Sequence, residues 1–405
     1  MRPMTRADTP MRKISVRRVG IRLTANLIGL VLFAGAVAPA CPTSPDPAAA
    51  NARELLDAGD YSALERRFGG LQAALDEGRA SEAEVEKAFK GAFADPEEKY
   101  GPRLDSWVAG FPNSYSAHTA RAIHQFSAGF RARGEKWASE TSEEQFDGMR
   151  AHFEKALPDL LRSLRLAKKP LVSYVYLIWL GRNVTGVEAQ RSLLDQALKV
   201  EPSTFLVRRA YMLSMTPRWG GSYVAMRAFL GECERARLPA QSLRTLEAII
   251  HLDQGSMARS RENHTSALES YRRALGLLEG IDGSDRMTAL RGYVRTSRSL
   301  NRLPDAIPQL NEWISSGEAT PAAYSWRAWV LMQQKKHREA WADLLVAAER
   351  ENAWSQYMIA SAYWTGAQDV VAKDRNAALT WMHRAARNGS KDAQKFLERV
   401  QPQEK

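Results

Sequence analysis

The sequence predicts an all-α protein, a helical-hairpin repeat solenoid preceded by an irregular helical N-terminal region. Three observations carry this expectation. In Pro321–Arg350, Tyr324, Ala328 and Leu331 fall at i, i+4, i+7, and Ala340, Leu344 and Ala347 repeat that spacing around a polar turn at Gln333–Arg338. The two apolar stripes face each other, and their alanines let the backbones approach closely. The pattern then recurs. Ala306, Leu310 and Trp313 start 34 residues before Ala340, and Ala267, Tyr271 and Ala274 start a further 39 back, with Gly255 where the first helix needs a small residue. Finally, Val and Ile runs are scarce and no long stretch alternates polar with apolar, so no sheet is expected. A hairpin cannot bury its outer face by itself, so neighbouring copies should cover it.

Residues 1–40 read as an export signal. Arg12, Lys13, Arg17, Arg18 and Arg22 make a basic front, Leu23–Val37 is apolar, and Ala38-Pro39-Ala40 places small residues before Cys41. The apolar run is short for a membrane span. Cys41 in this position resembles a lipoprotein cleavage site, which implies an acylated thiol, a membrane tether and a periplasmic location; simple cleavage with release is the alternative. Residues 41–50 form a Pro/Ala linker that would hold the body off a bilayer.

An irregular helical region is expected over 51–240. Leu55, Leu64 and Phe68 lie on helical stripes interrupted at Gly59-Asp60, and Ser81 with Glu84 three residues later forms a capping box. Ser114 caps a helix running through Ala120, Ile123, Phe126 and Phe130 to Gly134. The polar insertion Glu135–Gln145 separates it from the helix of Phe153, Ala156, Leu160 and Leu164, and Pro170 and Pro202 each follow a Leu-rich helix.

The hairpins occupy 241–352, and their order of small residue, Ala, aromatic or Leu, then Ala resembles the tetratricopeptide repeat. Within 353–400, which ends in a C-terminal helix, Tyr363, Gly366, Asp374, Ala378, Trp381, Ala385, Ala386, Gly389 and Ala393 stand at the spacing of a Sel-one-like repeat, a longer relative of that hairpin. The N-terminal half is similar to a bacterial family known as a domain of unknown function. That resemblance rests on Asp105-Ser106-Trp107, Pro112-Asn113-Ser114, Arg133-Gly134 with Trp137, and Pro217–Ser222, and spans 51–300. It implies an architecture and supplies no activity.

Charge and cysteine bound the chemistry. The formal net charge of +11 falls to +5 without residues 1–40, which carry seven basic side chains and one acid, so the basicity is weak support for nucleic-acid binding. With Cys41 acylated, Cys233 is left as a small buried hydrophobe on an apolar helix face. His118 and His124 are six apart on one helix and point in different directions, so they cannot chelate together. No nucleophile elbow, zinc helix or nucleotide fingerprint occurs, and no cofactor or metal is expected.

Two sets of residues invite a binding role. In Pro217–Ser222, the backbone of Gly220, Gly221 and Ser222 beside Arg218 offers an anion site, against the plainer reading of a Pro stop, a glycine turn and a Ser222 cap. On the helix before Ala306, Arg291, Arg295 and Arg298 stand at i, i+4, i+7, with no acid between Arg286 and Asp305. With the tetratricopeptide register, the resemblance places them in a concave groove together with Thr288, flanked by Arg259 and Trp329. The expectation is a membrane-tethered scaffold that holds a protein or acidic peptide there by charge-assisted hydrogen bonds. The alternative is an enzyme with a site around Trp107, Arg133, Trp137 and Arg218. A third class, a polysaccharide-binding module, would require Trp329 and Trp364 to face solvent.

Overall fold

The computed structural model describes residues 47–134, 140–184, 187–317, 319–367 and 370–400. The described residues are helical, and an isolated bridge between Ala367 and Val371 is the extent of β pairing among them. The chain divides into two compact units between Ile250 and His251.

The first unit begins with α1 (Pro47–Ala58), α2 (Tyr61–Leu64) and α3 (Gly70–Asp76), the last two joined by a π turn over Glu65–Gly69. It continues through α4 (Glu82–Phe93), α5 (Tyr100–Gly110), α6 (Tyr115–Arg133), α7 (Glu143–Ser163) and α8 (Leu171–Val184). Then follow α9 (Val187–Val200), α10 (Phe205–Ser214), α11 (Tyr223–Arg235) and the start of α12 (Ala240–Ser260). Helix α1 starts at Pro47, so the end of the 41–50 linker is helical rather than extended. Proline suits a first helical position because its missing N–H has no intrahelical partner there, and three alanines follow. The insertion is also shorter than Glu135–Gln145. Ser142 caps α7 by accepting from Gln145 N at 3.3 Å, while Gln145 Oε1 accepts from Ser142 N at 3.0 Å.

Two aromatic clusters fill this unit. Phe68 sits 5.1 Å from Phe89 and 4.7 Å from Phe93, centroid to centroid, and Phe93 meets Trp107 at 5.7 Å. Phe126 stacks on Phe153 at 5.2 Å and meets Tyr176 edge-on at 5.1 Å. Each fully buried ring contributes about 1.5–3 kcal/mol of transfer free energy, and the pairing adds to it. Helices α6 and α7 pack closely because Gly129 faces Phe153, whose Cε1 would be 2.8 Å from a Cβ at that position.

The second unit runs from His251 through α13 (His264–Leu277), α14 (Ser284–Ser299), α15 (Ile307–Ser315), α16 (Pro321–Gln333) and α17 (His337–Glu349). It closes with α18 (Ala353–Thr365), α19 (Arg375–Arg387) and α20 (Lys391–Val400). The expected stripes are buried: Ala267, Tyr271 and Ala274, then Ala306, Leu310 and Trp313, then Ala340, Leu344 and Ala347. The hairpin turns repeat as well. Glu262, Asn301 and Lys335 have φ of 59°, 56° and 62° and stand at one register, each just ahead of its Ala267, Ala306 or Ala340. The N–H that follows each reaches back to an orphan carbonyl: Asn263 to Ala258 at 2.9 Å, Arg302 to Ser297 at 2.8 Å, Lys336 to Leu331 at 2.9 Å. This is the left-handed closure usually given to glycine.

In the last hairpin Asp374 caps α19 through Ala377 N at 2.9 Å, and Gly366 and Gly389 adopt φ of 80° and 91°. The expected domain boundary at 240/241 coincides with the start of α12; the division into units falls ten residues later, inside that helix. Sequence composition marks where a helix begins, whereas the division follows which residues pack together.

Candidate functional site

Helix α14 presents three faces. Ala289, Gly292 and Thr296 are buried on the side facing α13, where a Cβ at Gly292 would lie 2.3 Å from Tyr271 Cε1. Met287, Leu290 and Val294 join the cluster of Leu303, Leu310, Trp313 and Val330. Between these packed faces run Thr288 and Arg298, both exposed, and Arg291 and Arg295, both half-buried. The i, i+4, i+7 spacing therefore places the three arginines on one strip at the surface.

The strip extends to α16. Arg298 lies over the Trp326 ring at 5.2 Å, and Trp326 packs on Trp313 at 6.2 Å. A guanidinium over an indole face gains about 0.5–1 kcal/mol at an exposed site. Trp329, three residues further along α16, is 40% exposed, and Trp354 on α18 is 37% exposed. Arg259 is exposed in the last turn of α12. The aromatic ring that Arg298 meets is Trp326. Two neighbouring arginines form ion pairs. Arg286 forms a fork with Glu312, with Nη2 at 2.9 Å from Oε2, and Arg327 forms one with Asp343, both bonds at 2.7 Å. Trp364 is covered by Phe396, 4.9 Å away and edge-on, and by Arg375 at 5.2 Å, so Trp329 and Trp364 do not make an exposed pair.

The Pro217–Ser222 segment folds as a turn. Pro217–Trp219 is a 3-10 turn, Gly220 takes φ 85°, and Ser222 Oγ accepts from Ala225 N at 3.1 Å to cap α11. Gly220 N donates to Pro217 O at 3.1 Å and Gly221 N to Thr216 O at 3.3 Å. These N–H groups are committed within the turn, so neither glycine supplies the donor expected for an anion. Gly221 is required for a steric reason: a Cβ would sit 1.9 Å from Met215 O. Arg218 is half-buried in this turn, and the Trp219 ring lies 4.3 Å under the Arg182 guanidinium of α8. Nothing in the local sequence pairs Arg182 with this turn.

Of the residues named for an N-terminal site, Trp107 is fully buried and donates from Nε1 to Glu65 Oε1 at 2.7 Å, so it is a core side chain. Arg133, half-buried, lies over Phe146 at 5.9 Å, and burial pushes its guanidinium below the usual value. Trp137 and Cys41 lie outside the described residues. Cys233 is buried, and burial pushes its thiol up to about 11, an unreactive state.

A polar network that the sequence did not suggest joins α6 to α7. Asp159 Oδ1 meets His118 Nδ1 at 2.7 Å and Arg121 Nη2 at 2.8 Å, and Arg121 Nε donates to Oδ2 at 2.7 Å. His118 Nε2 faces Pro112 O at 3.1 Å. Burial raises the Asp159 pKa, but the Arg121 fork and His118 outweigh it and hold the carboxyl below its usual value. The carboxylate oxygens are occupied by side chains of the protein itself, so the network pins the two helices together.

Residues 48–186 match the profile of a family described as a domain of unknown function (DUF4034). The match stops short of the 51–300 span expected from the motifs, and Pro217–Ser222 lies beyond it. No curated protein matches the chain. Among the described residues no helix is long and apolar enough to cross a membrane. Among solved structures, an IFIT1 monomeric mutant with Gppp-AAAA aligns over 83% of this chain and 79% of its own, at 12% identity and a TM-score of 0.26, too loose a superposition to bear on fold or ligand.

Proposed function

We propose that this helical-repeat protein is a scaffold that holds an acidic segment, or a free C-terminal carboxylate, of a protein partner against the α14 strip. The observation supporting this reading is the placement of Arg291, Arg295 and Arg298 between two packed faces, with Arg298 set on Trp326 beside the exposed Trp329. Guanidinium forks suit carboxylates, and exposed indoles supply apolar area at low entropic cost. A glutamate-rich peptide, titrated by fluorescence anisotropy, should bind the wild type in a salt-dependent manner. It should bind the double variant Arg291→Ala, Arg295→Ala at least about 10-fold more weakly, since each charged hydrogen bond contributes 1.5–3 kcal/mol. Equal affinity in the two proteins would refute the reading.

The leader supports a second part of the proposal, that the scaffold works from a membrane through an acylated Cys41. Labelling with an alkyne fatty acid should mark the wild type and spare Cys41→Ser; equal labelling of both would remove the tether.

A further inference from the structure

The connections of the second unit alternate between its two edges, because each helix packs on the one before it and runs back along it. The turns inside the hairpins, α12 to α13, α14 to α15, α16 to α17 and α18 to α19, therefore lie on one edge, and the connections between hairpins lie on the other. The first edge is basic. Arg261, Lys335, Lys336, Arg338, Lys373 and Arg375 stand exposed in its turns, against the acids Glu262, Glu339 and Asp374 among the described residues. Arg302 and Asp305 there pair with each other at 2.9 Å. On the other edge, the connections ahead of α14 and α18 expose Glu279, Asp282, Glu349 and Glu351 with one exposed cation, Arg350.

The α16–α17 turn concentrates this charge where local stability asks for other residues. Gln333–Glu339 is exposed throughout. Lys335 takes φ of 62°, a conformation that glycine or asparagine adopts at lower cost, and Asn301 stands at the same register in the preceding hairpin. Lys336 precedes α17 without a side-chain cap, whereas Asn263 caps α13 through Ser266 N at 3.1 Å and Asp374 caps α19. Two positions thus forgo a locally stabilising residue and hold lysine in water instead.

We propose that this basic edge lies against the anionic phospholipid headgroups of a bilayer. Long side chains at successive turns present their cations to a plane of charge together, and each basic residue near such a surface strengthens attachment about 5-fold. A single-stranded nucleic acid fits less well, because the exposed residues of these turns include no Phe, Tyr or Trp on which a base could stack. The acyl group proposed at Cys41 is a separate contact with the membrane, and the edge shares no residue with the α14 strip.

Sedimentation of the full chain with phosphatidylcholine vesicles, with and without phosphatidylglycerol, tests the surface. The wild type should partition more strongly onto the anionic vesicles, with the excess lost at high salt. Arg261→Gln, Lys335→Gln, Lys336→Gln and Lys373→Gln together should lower partition onto the anionic vesicles about 100-fold or more. Every version carries the same leader and the same Cys41, so their contribution cancels in the ratio and the result stands apart from the fatty-acid labelling. Arg272→Gln, Arg273→Gln, Arg387→Gln and Lys391→Gln together remove the same charge away from these turns and should cost less than about 3-fold, since charges beyond a Debye length from the headgroups are screened. The pair Lys335→Gln, Lys336→Gln carries the test, with a loss of about 20-fold, if the fourfold turn variant does not fold. Wild-type partition in the turn variants, an equal loss in the control, or no preference for phosphatidylglycerol would overturn the proposal. So would turn variants that lose binding to a single-stranded oligonucleotide and keep binding to vesicles.

Discussion

The two units share a local way of closing helices and differ in what accompanies it. In the second, three hairpins combine a left-handed residue at Glu262, Asn301 or Lys335 and a reach-back N–H with an alanine stripe at fixed spacing; in the first, Gly59, Gly78 and Arg237 are left-handed and the next N–H reaches back to Leu55, Ala74 or Cys233. The first unit adds bonds between residues far apart in the chain. Glu82 of α4 accepts from the N–H groups of Phe205 at 2.8 Å and Leu206 at 3.2 Å and from the Thr204 hydroxyl, and so caps α10 across more than a hundred residues. Arg103 donates to Leu56 O at 2.9 Å at the end of α1, and Asp76 accepts from Lys169 N at 2.8 Å ahead of α8. A helix end must satisfy its orphan groups somewhere. A repeat does so within each unit of sequence, while an irregular bundle does so wherever tertiary structure brings a suitable side chain. The difference teaches that a repeat can be read from its period, and an irregular bundle must be read from its partners.

The largest effect that would break this contrast is expected at Asp159. Asp159→Ala leaves Arg121 and His118 without their shared acceptor in a covered position and should cost roughly 3 kcal/mol or more. Hydrogen exchange on the full chain should show faster exchange in α6 and α7 and no change in α16 and α17. Acid adds a sign check. Because the folded carboxyl is held low, its stabilisation is present above the ordinary aspartate range and lost as pH falls through the lowered value, so the variant should lack that acid-sensitive component. An unchanged exchange pattern in α6 and α7 would mean that the long-range pins are incidental.

A smaller loss is expected from the second unit at Gly292. A Cβ there meets Tyr271 Cε1 at 2.3 Å, and the same ring is confined from the α12 side, where a Cβ at Gly255 would come within 2.9 Å of it. Gly292→Ala should therefore cost about 1–3 kcal/mol through overpacking. Combining it with Tyr271→Leu should cost less than the sum of the two single changes, because the ring that clashes is gone. Strict additivity in urea unfolding would show that the close approach of α13 and α14 does not depend on this glycine.

The smallest effect has the opposite sign. Lys335→Gly places the residue without a Cβ at a φ of 62° and should stabilise the α16–α17 turn by up to about 1 kcal/mol. A neutral or destabilising result in the same unfolding measurement would indicate that the lysine side chain contributes more than its backbone costs.

Much of this architecture was legible beforehand, for reasons that lie in particular residues. Ala267, Ala306 and Ala340 are spaced as a repeat because each fills the same contact, and Ser81, Ser114 and Ser222 cap helices through bonds reaching only three residues. Local periodicity and short-range capping determined helix identity, hairpin register and the shared face of Arg291, Arg295 and Arg298. Tertiary structure decided what those elements meet. It placed Trp326 under Arg298, committed the glycine N–H groups of the Pro217–Ser222 turn, buried Trp107 against Glu65, and brought Arg182 over Trp219. Such pairings depend on the direction of one side chain relative to a distant helix, and no spacing within either segment encodes that direction.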